Sequence, residues 1–149
     1  MLWHELERAA PALAARGRAR IETFDCVMIG TLTRDGSPRV NPVEAYIVDG
    51  RLLMNMMPRS LKALDLLRDS RVFVHTLITS KKGDEGEFKI RGRALPLSDD
   101  LLRTALADVF EREIQWRPPP ESHDFEIDIE RVAWVRYVDG EQEVERWPA

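Results

Sequence analysis

Apolar residues recur along this chain at two periods, and the switches between them mark out its elements. From Leu2 to Leu13 the positions Leu2, Leu6, Ala9, Ala10 and Leu13 share one face at helical spacing. That predicts a helix which Pro11 either kinks or restarts. Gly17 and the arginines around it read as the connection to the first strand. Three β-rich runs come next, Cys26–Leu32, Arg39–Val48 and Arg51–Met56. Asp35-Gly36 and Asp49-Gly50 lie between them and supply what tight antiparallel turns need, a residue free at positive φ and a carboxylate that bonds its own backbone. Pro42 cannot donate to a ladder, so it marks an edge or a bulge.

Helical spacing returns over Leu61–Leu67, with Ser60 placed to cap it. Arg71–Thr79 reads as a strand that is apolar on both sides, Val72, Val74 and Ile78 against Phe73 and Leu77, so both faces need cover. Ser80–Gly86 is a polar loop. Glu87–Leu97 then alternates, with Phe88, Ile90 and Ala94 inward, and Gly92 at an inward position asks for a bend or a close backbone approach. Ser98-Asp99-Asp100 opens the clearest helix, in which the Ser98 hydroxyl can cap and Leu101, Leu102, Ala105, Leu106, Val109 and Phe110 form one stripe. Trp116 to Pro120 is a stiff, extended connector. Phe125, Ile127 and Ile129 alternate, then the phase slips to Val132 and Trp134, which places a bulge near Glu130-Arg131. Asp139-Gly140 turns the chain into a last strand, Glu141–Trp147. The sum is a mainly β fold, an antiparallel Greek-key barrel of six to seven strands with two or three peripheral helices. One domain over 1–149 is expected, with a helical segment at 1–20 and a helix plus proline-rich connector at 98–124.

Composition narrows the function classes. The chain has 149 residues, 44% of them hydrophobic, and a net charge of −4, so nothing in its electrostatics favours nucleic acid. One cysteine, Cys26, rules out a disulfide within the chain and a thiolate-built zinc site. His4, His75 and His123 stand at no metal-ligand spacing. No run is long and apolar enough for a membrane span, and no charged n-region precedes an apolar run at the start, so a cytoplasmic protein is expected.

The stretch from Gly30 to Asp69 carries the chemistry. Arg39 opens a strand, and Ser60 and Lys62 sit at a helix start, where unpaired N–H groups and the positive end of the dipole favour an anion. If the two meet, a hydroxyl, an ammonium and a forked guanidinium converge on a phosphate. No residue spacing identifies an obligatory catalytic acid or base.

The order GTLTRDGSPRVNPV, VDGRLL, SLKALDLLRDSRV and EGEFKIRGRA resembles the pyridoxamine 5′-phosphate oxidase-like family, the flavin-binding split barrels, over Asp25 to Leu97. The resemblance implies a six-stranded split barrel and a homodimer with FMN in a cleft between subunits. It also implies flavin phosphate held by Arg39, with Val40 and Asn41 after it, and by Ser60, Leu61 and Lys62. Asn55 and Met56 fall at the strand end that lines the cleft, and Glu87 falls where the oxidase has Gln near the flavin ring. Trp134, Arg146 and Trp147 belong to strands that often reach the partner's cleft. Two positions depart from the oxidase: Leu61 stands for its Arg, and Glu44 stands for the Lys that holds substrate phosphate. The oxidase's C-terminal Arg-Leu-His-Asp-Arg run is also missing. The expectation is a general member of the family, an oxidoreductase using FMN. The alternatives are a reductase using a 5-deazaflavin coenzyme or a non-catalytic dimer that binds flavin or haem.

Overall fold

A computed structural model describes residues 1–148. Seven strands form one sheet: β1 (Cys26–Leu32), β2 (Pro38–Val48), β3 (Arg51–Met56), β4 (Arg71–Thr76), β5 (Glu87–Pro96), β6 (His123–Val138) and β7 (Glu141–Trp147). Their order is β3-β2-β1-β4-β5-β6-β7, and β3 also pairs with β6. That extra pairing closes a six-stranded antiparallel barrel and leaves β7 as an added strand on the second half of β6.

Period-2 alternation builds the barrel. Val27 and Ile29 of β1, Val43 and Ala45 of β2, Leu52 and Met54 of β3, Val72 and Val74 of β4 and Phe88, Ile90 and Ala94 of β5 are all buried in one cluster. Tyr46 and Leu53 point the other way, where they pack beneath Leu102, Leu106 and Phe110 of α4 (Asp100–Ile114). Full burial of each such side chain contributes about 1.5–3 kcal/mol. Pro42 lies opposite Met28, in the part of β2 that has β1 but not β3 as a neighbour, so the ladder bond it cannot donate is not required. The register shifts between Arg91 and Gly92, with Glu130 as the extra residue on β6. A Cβ at Gly92 would stand 2.2 Å from the Asp128 carbonyl oxygen, so glycine is what lets the two backbones close at the bulge.

Several element boundaries differ from the sequence expectation. The N-terminal segment is two helices, α1 (Trp3–Ala9) and α2 (Pro11–Phe24), and Pro11 occupies the first turn of the second, where its missing N–H is harmless. Gly17 is not a connection. It is buried inside α2, where a Cβ would meet the Phe88 ring at 2.7 Å. Asp99, not Ser98, caps α4, accepting from the N–H groups of Leu101 and Leu102. β4 stops at Thr76 rather than Thr79, because the Glu85 carboxylate takes the N–H groups of Thr79 and Ser80 into a loop instead. With α3 (Leu61–Arg68), four helices surround the barrel among the described residues rather than two or three. Among the described residues no helix is long and apolar enough to cross a membrane.

Candidate cofactor site

β1 and β2 put Thr31 directly opposite Arg39, and α3 packs across that end of the barrel with Ala63 and Leu66 buried. The same face of α3 carries Asp65, 4% exposed. A carboxylate in that position requires partners, and it has three. Its Oδ2 accepts from Thr31 Oγ1 at 2.9 Å and from Arg39 Nε at 2.7 Å, and its Oδ1 accepts from Arg68 Nη2 at 3.0 Å. Burial pushes the Asp65 carboxyl up, but bonds from Arg39, Arg68 and Thr31 outweigh it and hold the group below the usual carboxylate range, so it is ionised at neutral pH.

Arg39 is half-buried and donates only through Nε, so its two terminal nitrogens have no partner among the described residues. Just before α3, Arg59 turns the chain at φ +61 and Ser60 takes the N-cap position. Contrary to the sequence expectation, the Ser60 side chain makes no capping bond. The N–H groups of Leu61, Lys62 and Ala63 therefore lack both a helix carbonyl and a cap. Lys62 is half-buried and has no ion pair among the described residues. The outer edge of the Arg39 guanidinium, the Lys62 ammonium, the Ser60 hydroxyl and the N–H groups at the α3 start are thus unpaired donors among the described residues, and Asp65 ties Arg39 to that helix. That chemistry fits the phosphomonoester of FMN.

The other expected contacts are distributed more widely. Val40 is 61% exposed and points outward, Asn41 is half-buried beside Ile29, and Leu61 is exposed at the start of α3. Met56 is in the barrel core. Asn55 is buried, and its Nδ2 donates to Asp124 at 2.6 Å, which also accepts from Arg103 of α4 at 3.0 Å. Glu87 sits on β5, bonded to His75 at 2.6 Å and paired with Lys89 at 3.1 Å. Burial pushes the Glu87 carboxyl up, and those two partners bring it below its ordinary value. In one chain neither Asn55 nor Glu87 bonds to any member of the Arg39–Asp65–α3 group.

Sequence reasoning missed Asp65, Thr31 and the His75–Glu87 pair. Asp65 leaves a trace, an acid three residues after Lys62 on the apolar face that holds Ala63 and Leu66. His75 and Glu87 meet diagonally across the β4–β5 ladder, and the loop between hides that register. Both His75 ring nitrogens face oxygen, Nδ1 toward Thr76 O at 2.7 Å and Nε2 toward Glu87.

The outer face has two cross-strand rows. One runs Val40, Gly30, Phe73, Arg91, Arg131, and the other Pro42, Met28, His75, Lys89, Ala133, Arg146. Its β1–β2 half is apolar and its β5–β7 half is cationic. A cleft of about 310 Å³ bounded by Gly30, Leu32, Phe73 and Arg91 adjoins one of about 230 Å³ bounded by Phe73, Lys89, Arg131, Arg146 and Trp147. Among the described residues no cluster of three His, Cys, Asp or Glu side chains could hold a metal ion.

Comparison with known proteins agrees with this architecture. Solved structures of several proteins share the fold. A heme binding protein from Mycobacterium smegmatis matches with a TM-score of 0.63 and 19% identity over 88% of this chain, which spans 57% of that protein's length. A putative pyridoxamine 5′-phosphate oxidase from Listeria innocua matches with a TM-score of 0.64 and 17% identity, over 76% of this chain and 90% of that one. PhzG from Burkholderia lata, in complex with tetrahydrophenazine-1-carboxylic acid, matches with a TM-score of 0.65 and 15% identity, over 94% and 89%. Among curated proteins none matches the sequence. The sequence profile named pyridoxamine 5′-phosphate oxidase matches residues 13–136, most of the chain, and with the closed split barrel this places the protein in the pyridoxamine 5′-phosphate oxidase family.

Proposed function

We propose that this protein binds FMN as a homodimer and acts as a flavin-dependent oxidoreductase on a small molecule. The observation that carries the reading is the set of unpaired donors at the start of α3. The Arg39 guanidinium is held by its Nε to Asp65 of α3 with its outer edge open, and Ser60 at the start of the same helix leaves its hydroxyl and the first helix N–H groups uncapped. Arg39, Ser60 and Lys62 take the flavin phosphate. Val40, Asn41, Asn55, Met56 and Leu61 are the further flavin contacts, spread over β2, β3 and α3 rather than gathered on the phosphate, and Glu87 reaches the flavin of the partner subunit. FMN supplies the redox chemistry when bound, and the chain supplies binding, orientation and electrostatics. Glu44 is exposed where the oxidase has a cation for substrate phosphate, which disfavours pyridoxamine 5′-phosphate as the substrate. The outer face supports the dimer, since Val40 at 61% and Phe73 at 44% exposure form an apolar surface that a second copy would cover.

Flavin is favoured over haem because both ring nitrogens of His75, the histidine on that face, are already engaged. A deazaflavin coenzyme is the other candidate for the cationic half of the face, although Arg91 and Arg93 share Glu130 there. The absorption spectrum of the purified protein separates flavin, deazaflavin and haem. Light scattering is expected to give twice the chain mass. FMN at a hundred times its Kd is expected to stabilise the fold by about 2.7 kcal/mol, read as a raised Tm. Lys62→Ala is expected to weaken FMN more than riboflavin. If saturating FMN neither binds nor raises Tm, the reading fails.

A further inference from the structure

We infer that Asp65 is a positioning residue for the phosphate of the flavin, the tie that holds Arg39 on β2 at a fixed place relative to Ser60 and Lys62 on α3. The inference rests on the reading of the α3 start as a flavin-phosphate site.

The two halves of that site belong to different elements. Arg39 is carried by a strand of the barrel wall, and Ser60 and Lys62 are carried by a helix laid across the barrel end. A phosphate can use both only if their separation is set before it arrives. Asp65 is the side chain that bonds to both elements. It is one turn along the helix from Lys62, and it takes the guanidinium of Arg39 and the hydroxyl of Thr31 from the two paired strands.

The geometry of the contact also matters. Arg39 has several long rotamers, and an unrestrained guanidinium would lose that freedom on binding. Asp65 takes Nε, the nitrogen nearest the chain, at 2.7 Å. The plane of the guanidinium is then fixed, and the two terminal nitrogens stay free for a forked contact with two phosphate oxygens. Asp65 is itself held on its other side. Arg68 donates to its Oδ1, and the same Arg68 nitrogen donates to the Leu32 carbonyl at 2.5 Å, so the carboxylate cannot turn away from Arg39. A side chain whose only role was to fill the seam between helix and barrel could have been apolar, as Ala63 and Leu66 beside it are. A buried carboxylate costs free energy at that position unless its bonds are complete. Here all three bonds converge on aiming one cation.

The test is a double-mutant cycle read as affinity for FMN and for riboflavin, which differ by the phosphate. Asp65→Asn keeps the side-chain shape and removes the charge. FMN affinity is expected to fall about tenfold, with riboflavin affinity changed less than about twofold. In an Arg39→Ala background the same substitution is expected to have no further effect on the FMN-to-riboflavin ratio, because Asp65 acts through Arg39. Thr31→Val loosens the carboxylate without removing its charge and is expected to give a smaller loss in the same direction, and it serves if Asp65→Asn does not fold. An unchanged ratio in these variants, or full loss in the Arg39→Ala background, overturns the role of Asp65 while leaving the flavin reading intact. Wild-type protein that binds FMN no better than riboflavin overturns both.

Discussion

Asp65 shows how one buried charge organises its surroundings. Its folded carboxyl is held below the value of an unfolded aspartate, about 3.9. A group depressed in this way contributes stability that is present above the unfolded value and lost as pH falls through the folded one. Asp65→Asn removes that contribution at every pH. The Tm gap between wild type and Asp65→Asn is therefore expected to be widest near neutral pH and to close below about pH 4. A gap that stays constant into acid would show that the ionised carboxylate is not what stabilises the seam. His75 and Glu87 form a second polar pair of this kind, with the Glu87 carboxyl likewise drawn down despite burial.

At the scale of elements, two glycines decide how closely parts approach. Gly17 lets α2 lie against the buried Phe88 ring, and Gly92 lets β5 meet the bulge of β6. Gly17→Ala improves helix propensity by about 1 kcal/mol, yet the methyl would press into a ring fully enclosed by the core. It is expected to destabilise the fold by about 1–3 kcal/mol in urea titration. Gly92→Ala meets backbone rather than a movable side chain and is expected to lose more. These cases also mark how far the sequence was readable. Strand phase, the Asp-Gly turns, the Glu130 bulge and the need for close approach at Gly92 arise from local pattern, and so they were legible. The role of Gly17 was not, because it depends on Phe88, seventy-one residues away. The cap at Ser60 was misread for a related reason, since a residue type suited to capping does not say whether the side chain is used for it. The candidate site divides in the same way. Arg39, Ser60 and Lys62 could be named from order and spacing, but Asp65, which links them, becomes visible only when α3 is laid across β1 and β2.

The whole molecule is held together by the length of one strand. β6 runs from His123 to Val138, pairs with β5 along most of its length, closes the barrel on β3 with its first residues and carries β7 on its second half. The outer face divides into an apolar side on β1 and β2 and a cationic side on β5 to β7, while the net charge of the chain is −4.

Because β7 pairs with β6 alone, it is the margin of the sheet, and its composition bears on solubility. A bare strand margin is a template on which another chain can pair. Glu141, Glu143, Glu145 and Arg146 make this one charged and exposed, which opposes such growth. If β7 were gone, β6 from Val132 to Val138 would become the margin and its backbone groups on that side would lose their partners. A chain ended at Val138 is expected to turn cloudy at concentrations where the full chain stays clear, as measured by light scattering over time. β7 thus guards the margin of the sheet against edge-to-edge growth, beyond any contact it makes with a ligand.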